Sequence, residues 1–274
     1  MQTNLSNIYD SSRRPHPLVE EVISLIKYRD LVYQFVARSI KTRYKRSVLG
    51  VFWTMLNPLF MMIILTIVFS SVFKVGRNYP VFVLSGLVLW NFFSHATSSA
   101  MGEMIWSGAL LNRIFMPKSV FAVSAIGTGL VNLLISLVPL FLISVFLGGK
   151  FTYALLVLPL SILILVLFAL GVGLFLATAA VYFADMVPVY EVVLTIWFYA
   201  TPIIYPIENI PPHYAWILKL NPMYYIVRIF RLPVYEGVLP GLLDWIIASG
   251  CALVAVILGG LIFTNKSKEY AYRI

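Results

Sequence analysis

The sequence is poor in the residues that most chemistry requires. Of 274 residues one is cysteine, Cys251, and three are histidine. No disulfide can close within the chain, and no cysteine-rich metal site can be assembled. Charged residues make up 11% of the chain, where soluble domains carry about 25%. No G-x-x-x-x-G-K-[ST] segment is present to cradle a nucleotide's phosphates on backbone amides. The nearest fragment, Gly148-Gly149-Lys150, has Ser144 where the first glycine belongs and Phe151 after the lysine. His95 has no second histidine or carboxylate at ligand spacing, and no Ser-His-Asp or paired-carboxylate set is visible. The polar start, with Arg13 and Arg14, lacks the short apolar core of a cleaved leader. Internal repeats and low-complexity linkers are also missing. These absences argue against a self-contained ATPase, a metal site on this chain and a hydrolytic enzyme.

Apolar residues are what the chain has, at 61% with a mean hydropathy of +0.91. One globule of this size cannot hide that much apolar surface, so lipid must be the solvent for much of it. About 20 residues of helix cross a bilayer core. Six runs meet or approach that length: 48–73, 80–101, 119–147, 151–183, 186–205 and 242–263. The expected fold is therefore an all-α integral membrane protein with six transmembrane helices. A cytoplasmic N-terminus, 1–46, precedes the transmembrane domain, 47–274. Asn57-Pro58 interrupts the first run, where proline removes a backbone donor and should kink the helix. Residues 205–235 are rich in proline and aromatics yet still apolar. They read as re-entrant helices before the last span, because broken backbone at membrane depth needs protein or water to satisfy it.

The net charge is +9. The basic residues crowd the first 46 positions and the last nine, so they speak for topology and anionic lipid rather than for nucleic acid. Nine Lys and Arg precede the first run, Arg113 and Lys118 follow the second, and Lys266, Lys268 and Arg273 follow the sixth. The opposite side would hold Lys74, Arg77, Lys150, Lys219, Arg228 and Arg231. This bias predicts both termini in the cytoplasm. Residues 18–44 carry Leu18, Val22, Ile26, Val32, Tyr33, Val36 and Ile40 on one stripe, with Lys27, Arg38, Lys41 and Lys45 off it. This is the pattern of an amphipathic helix lying in the interface; a helix packed on a soluble domain is the other reading.

Three smaller features follow. Glu191 lies near the start of the fifth run. An intramembrane carboxylate is a functional candidate, but the dipole of a helix start also stabilises it, and the cap reading is the simpler. Asp185 reads as the N-cap of that run, its side chain accepting a first-turn amide. Residues 102–118 form a short amphipathic segment ended by Met116-Pro117, suited to docking on a partner or to lying on the membrane.

The stretch Thr42-Arg43-Tyr44-Lys45-Arg46-Ser47-Val48-Leu49-Gly50, running into Phe52-Trp53-Thr54-Met55-Leu56-Asn57-Pro58-Leu59, resembles the first-span entry of polysaccharide-export ABC permeases. So does Val181-Tyr182-Phe183-Ala184-Asp185, although the family often has Arg where Ala184 stands. Thr201-Pro202-Ile203-Ile204-Tyr205-Pro206, Ile210-Pro211-Pro212 and Leu220-Asn221-Pro222-Met223-Tyr224 match in the same order. The resemblance covers nearly the whole chain. It implies the membrane subunit of a bacterial inner-membrane exporter of lipid-linked polysaccharide, such as O-antigen, capsule or teichoic acid. It further implies a second copy of the chain, two ATPase subunits that bind the ATP and Mg, and a coupling helix at 103–117 with Glu103, Arg113, Phe115 and Lys118 as its docking residues. This chain itself would bind no cofactor, metal or nucleic acid.

A sugar polymer needs a wet, tolerant channel in which C–H faces slide over aromatic rings. The candidates for its lining are Trp53 and Asn57 in the first run, Trp90, Phe93 and Thr97 in the second, and Trp197, Tyr199 and Thr201 in the fifth. Arg38, Lys41, Arg43, Lys45 and Arg46 are candidates for holding the diphosphate of a lipid anchor; positive-inside topology alone would also explain them. The rival functions are a self-sufficient carrier or channel, a membrane transferase, and an ABC exporter of a small lipid or drug. The carrier predicts paired buried charges and the transferase a catalytic cluster; neither is evident.

Overall fold

A backbone surrounded by lipid must satisfy its own hydrogen bonds, and the helix does so within one segment. The computed structural model describes residues 17–45, 47, 49–73, 78–106, 116–149 and 151–270, and all regular structure among them is helical. The long helices are α3 (Phe52–Phe73), α4 (Tyr79–Trp106), α5 (Ser119–Phe146), α6 (Leu158–Tyr182, preceded by a 3-10 turn at Tyr153–Val157) and α10 (Leu242–Lys266). These five are long and apolar enough to cross a membrane. Around them lie α1 (Pro17–Lys27), α2 (Arg29–Tyr44), α7 (Met186–Tyr199), α8 (Ala215–Lys219) and α9 (Pro222–Arg231).

Helix α4 is the centre, with nearly all of its first half buried against α5 and α6. Helix α10 closes the other side of α6, where two glycines let the backbones touch. A Cβ on Gly171 would stand 2.2 Å from the carbonyl carbon of Ala255, and one on Gly259 would stand 2.1 Å from Gly171 O. Helix α3 packs more lightly on α4 and α5.

Several expectations are refined. The fifth run becomes α7, which stops at Tyr199 after 14 residues, about 21 Å of helix against a core of about 30 Å. Residues 201–204 then turn back and are buried against the first half of α4. The N-terminal amphipathic segment is two helices rather than one, broken at Tyr28 (φ −98°, ψ 20°). Leu18 of the first half lies against Gly260 of α10 and Glu21 bonds to Ser119 of α5, while in the second half Val36 meets Gly127 and Phe35 meets Phe121 of α5 at 5.5 Å. On α1, Val19, Val22, Ile23 and Ile26 remain exposed as one apolar face, which suits the interfacial reading. Asp185 occupies the N-cap position, but its side chain makes no capping bond. Its φ of −82° and ψ of 2° lie outside the extended region that capping requires. Glu103 belongs to the last turn of α4, which runs on to Trp106. The remainder of the coupling segment through Phe115 lies outside the described residues.

The segment 205–235 is a chain of short helices. Asn221 caps α9 by accepting from Met223 N at 2.9 Å, with Pro222 in the first helical position, where its missing donor costs nothing. A π-helical turn, Leu232–Glu236, follows and ends on Gly237 at φ 73°.

Candidate functional site

At the end of the bundle where α2 delivers the chain to α3, proline leaves a mark on the packing. Pro58 has no N–H for the carbonyl of Thr54. The hydroxyl of Ser136 on α5 approaches that carbonyl at 3.1 Å instead. Nearby, Tyr44 donates to Asn132 Oδ1 at 3.4 Å, tying α2 to the same face of α5. These ties frame a cavity of about 360 Å³ among α2, α3, α4 and α5. Arg43, Trp53, Asn57, Asn91, His95 and Asn132 give it its chemistry. It carries several hydrogen-bond donors, a cation and no carboxylate, a combination suited to an anionic or hydroxylated group.

Two sets of sequence candidates thus converge: Trp53 and Asn57 of the pathway set and Arg43 of the basic set. Asn91 and His95 stand four apart on α4, a spacing that marks one helical face, while Asn132 comes from α5 and joins them only through packing. Arg38, Lys41, Arg43 and Lys45 are all exposed on the last turns of α2 and just beyond. Arg46 lies outside the described residues.

The other pathway candidates are gathered elsewhere. Trp90 meets Trp197 at 6.4 Å, and Phe93 meets Trp197 at 5.1 Å and Phe168 at 5.5 Å. Thr97 donates to or accepts from Tyr190 Oη at 2.7 Å. Trp197 Nε1 donates to Asn221 Oδ1 at 2.7 Å, and Asn221 Nδ2 donates to Ala200 O and to Thr201 Oγ1. Trp90, Phe93, Thr97 and Thr201 are buried within the single subunit. They clasp α7 to α4 and to the start of α9. Trp53, Asn57 and Tyr199 are exposed.

Helix α7 carries a further pattern. Glu191, Thr195 and Tyr199 recur every four residues, so they share one face, and all three are exposed. Glu191 makes no ion pair among the described residues. A carboxylate facing hydrocarbon is costly, so this face belongs against water or protein. The spacing was readable in the sequence, but its exposure was not.

At the end of α5 that follows the coupling segment, Lys118 donates to Ser267 O and lies 5.3 Å from the Tyr270 ring. Burial lowers the Lys118 ammonium from its ordinary value, with Glu21 opposing the shift. Glu21 of α1 accepts from Ser119 N and Oγ. Tyr270 pairs with Thr178 of α6 at 2.6 Å. The start of α5 is therefore bonded to α1 and the C-terminal turn and, through Tyr270, linked to α6. Of its named residues, Arg113 and Phe115 lie outside the described residues. No group of three or more His, Cys, Asp or Glu that could hold a metal occurs among the described residues.

The family model described as ABC-2 type transporter matches residues 30–235. An O-antigen export system permease protein of Myxococcus xanthus is 30% identical over 260 residues, covering 94% of this chain and 100% of that protein. An O-antigen export system permease protein of Klebsiella pneumoniae is 28% identical over 205 residues, covering 74% and 79%. A polysialic acid transport protein of Escherichia coli is 27% identical over 212 residues, again covering 74% and 79%.

Proposed function

The chain belongs to the ABC-2 type transporter family, and from that premise we propose that it is the permease subunit of an exporter carrying lipid-linked polysaccharide outward across the bacterial inner membrane. The observation that carries this reading is the end-to-end match to an O-antigen export permease. The lack of any phosphate-binding loop accords with it, because energy must then come from a separate ATPase that binds ATP and Mg. The finer parts of the reading are six crossings, with α7 and the turn after it forming the short fifth, and both termini in the cytoplasm.

Two copies of the chain with two ATPases make the working unit in this reading. The exposed faces of α3 and α7 supply its pathway, with Trp53, Asn57, Glu191, Thr195 and Tyr199 toward the polymer. Buried Trp90, Phe93, Thr97 and Thr201, with partly buried Trp197, hold those walls in place. The lipid anchor's diphosphate docks on Arg38, Lys41, Arg43 and Lys45, with Arg46 next in the chain. Guanidinium and ammonium groups suit phosphate oxygens through charge-assisted hydrogen bonds. On ATP binding the ATPases press the coupling segment, and the Lys118 and Glu21 contacts carry that push to α1, α6 and the C-terminal turn.

The test is purification of the tagged chain from its native membranes in mild detergent, followed by mass spectrometry. A stoichiometric partner with a phosphate-binding loop is expected, and lipid-linked polymer should accumulate inside cells that lack the chain. A chain that stays alone, even after crosslinking in intact cells, would overturn the proposal in favour of a self-sufficient carrier.

A further inference from the structure

At the opposite end of the bundle from the basic helix, the re-entrant segment encloses a second cavity, of about 560 Å³. That is within the range of ligand clefts, roughly 300–1,000 Å³. Its frame is held from several sides. Arg231 turns its guanidinium inward, donating to Pro202 O at 2.6 Å, to Ile203 O at 3.2 Å and to Ser85 Oγ at 3.4 Å, and lying 3.9 Å over the Phe82 ring. Tyr79 Oη donates to Ile204 O at 2.7 Å. Arg228 donates to Tyr224 Oη at 2.7 Å and pairs with Asp244 at 3.2 Å. Both cations are thus engaged by the protein itself.

The groups left facing the cavity are different in kind. Glu208, Asn209 and Glu236 line it and are exposed, and neither carboxylate makes an ion pair among the described residues. Tyr235, half-buried, presents its ring beside them, with its edge set against Phe82 at 5.5 Å. Burial raises the Tyr235 hydroxyl above its ordinary value; Glu236 and then Glu208 add to the rise, and Arg231 opposes it. The two carboxylates and this ring line the same cleft.

We infer that this cleft is a saccharide-binding site at the outer mouth of the permease, and that it favours neutral or amino sugars over acidic ones. The inference rests on the polysaccharide-export reading and narrows its substrate. An aromatic face bordered by carboxylates and an amide matches a sugar ring, which has apolar C–H faces and hydroxyls at its edge. Phosphate headgroups of the outer leaflet fit poorly, because the exposed carboxylates make no ion pair among the described residues, whereas Arg228 is paired with Asp244 and Arg231 spends its donors on Pro202 O, Ile203 O and Ser85 Oγ. A uronic or sialic acid polymer meets the same repulsion.

The experiment uses the permease with its co-purified ATPase in nanodiscs, titrated with neutral hexaoses of glucose, mannose and galactose and with hexagalacturonate. Binding is read by saturation-transfer NMR and calorimetry. At least one neutral hexaose should bind saturably and more tightly than hexagalacturonate. Tyr235→Ala should weaken it about tenfold, equivalent to about 1.4 kcal/mol, while Tyr235→Phe, which keeps the ring, should not. The double variant Glu208→Gln, Glu236→Gln should raise hexagalacturonate affinity toward the neutral level. Absence of saturable neutral binding, equal binding to wild type and Tyr235→Ala, or equal binding of acidic and neutral hexaoses to wild type would each overturn the site. If the ATPase still co-purifies and polymer still accumulates in cells without the chain, the cleft fails alone and the exporter reading stands.

Discussion

Helices α6 and α10 meet so closely that backbone touches backbone, whereas α3 and α7 leave most of their surfaces uncovered. Both pairs are apolar, so hydrophobicity does not separate them. Between helices in lipid there is no solvent to expel, and association comes from close packing and hydrogen bonds. Gly171, Ala255 and Gly259 provide the close packing. In α3 the residues Phe60, Ile64, Ile67 and Val68 are bulky and exposed, and in α7 only Tyr190 is buried. The α6–α10 side acts as a fixed post. The α3 and α7 side is a surface prepared for something else, and the polar stripe on α7 marks part of it as facing water or protein.

The sharpest way to break this contrast is Gly171→Val. The new side chain would collide with Ala255 backbone, which cannot yield as a side-chain tip could. A loss of about 3 kcal/mol or more is expected, seen as a lower midpoint of thermal unfolding in detergent and poor recovery from the membrane. The matched control is Gly250→Ala on α10, where a Cβ meets nothing within 4 Å. That change should be neutral or slightly stabilising, because alanine loses less backbone freedom in a helix. Equal effects at the two positions would remove the distinction between post and surface.

A smaller effect is expected where the surface is fastened to the post. Asn221 accepts from Trp197 Nε1 and Met223 N and donates to Ala200 O and Thr201 Oγ1. Asn221→Ala leaves these groups without their partner and removes the cap of α9. About 2 kcal/mol of stability should be lost, again read by thermal unfolding. Export should fall further than Asn221→Asp makes it fall, because Asp keeps the acceptor for Trp197 and Met223. Equal loss in both variants would mean that the Nδ2 donors alone hold the turn.

These particulars show what the sequence could and could not convey. Length and charge-free composition were enough to place the long helices, since a lipid-facing backbone has few options. The proline-rich region also announced its own irregularity. Asn221, however, appeared only as part of a motif, and its four partners come from two elements that the sequence separates by some twenty residues. Trp90, Phe93 and Thr97 had the spacing of one helical face, yet spacing does not say whether that face meets a channel or a neighbouring helix. Here α6 and α7 cover it. Asn91 and His95 share a face of α4 by spacing, but Asn132 joins them in one cavity through the crossing of α4 and α5, which no local pattern encodes.

The smallest effect on stability, and the most direct probe of the open surface, comes from a single cysteine on α7. Cys251 is first replaced by serine, leaving no other thiol in the chain. Thr195→Cys then places a thiol in the middle of the polar stripe. Among the described residues the native hydroxyl bonds only to its own helix, at Glu191 O, so the substitution should change stability by no more than about 0.5 kcal/mol. If the stripe faces a water-filled path, a small charged thiol reagent should label the Thr195→Cys variant in intact membranes. Leu253→Cys, on an exposed apolar face of α10, should stay unlabelled if that face meets lipid, because a charged reagent does not reach hydrocarbon. In the proposed assembly of two copies with their ATPases, labelling of the α7 thiol should also change when ATP is trapped on the partner. Equal protection of the two variants would mean that Glu191 is shielded by protein. The α7 surface would then be a contact between subunits, and the path would have to run along α3 and its cavity near Trp53 and Asn57 instead.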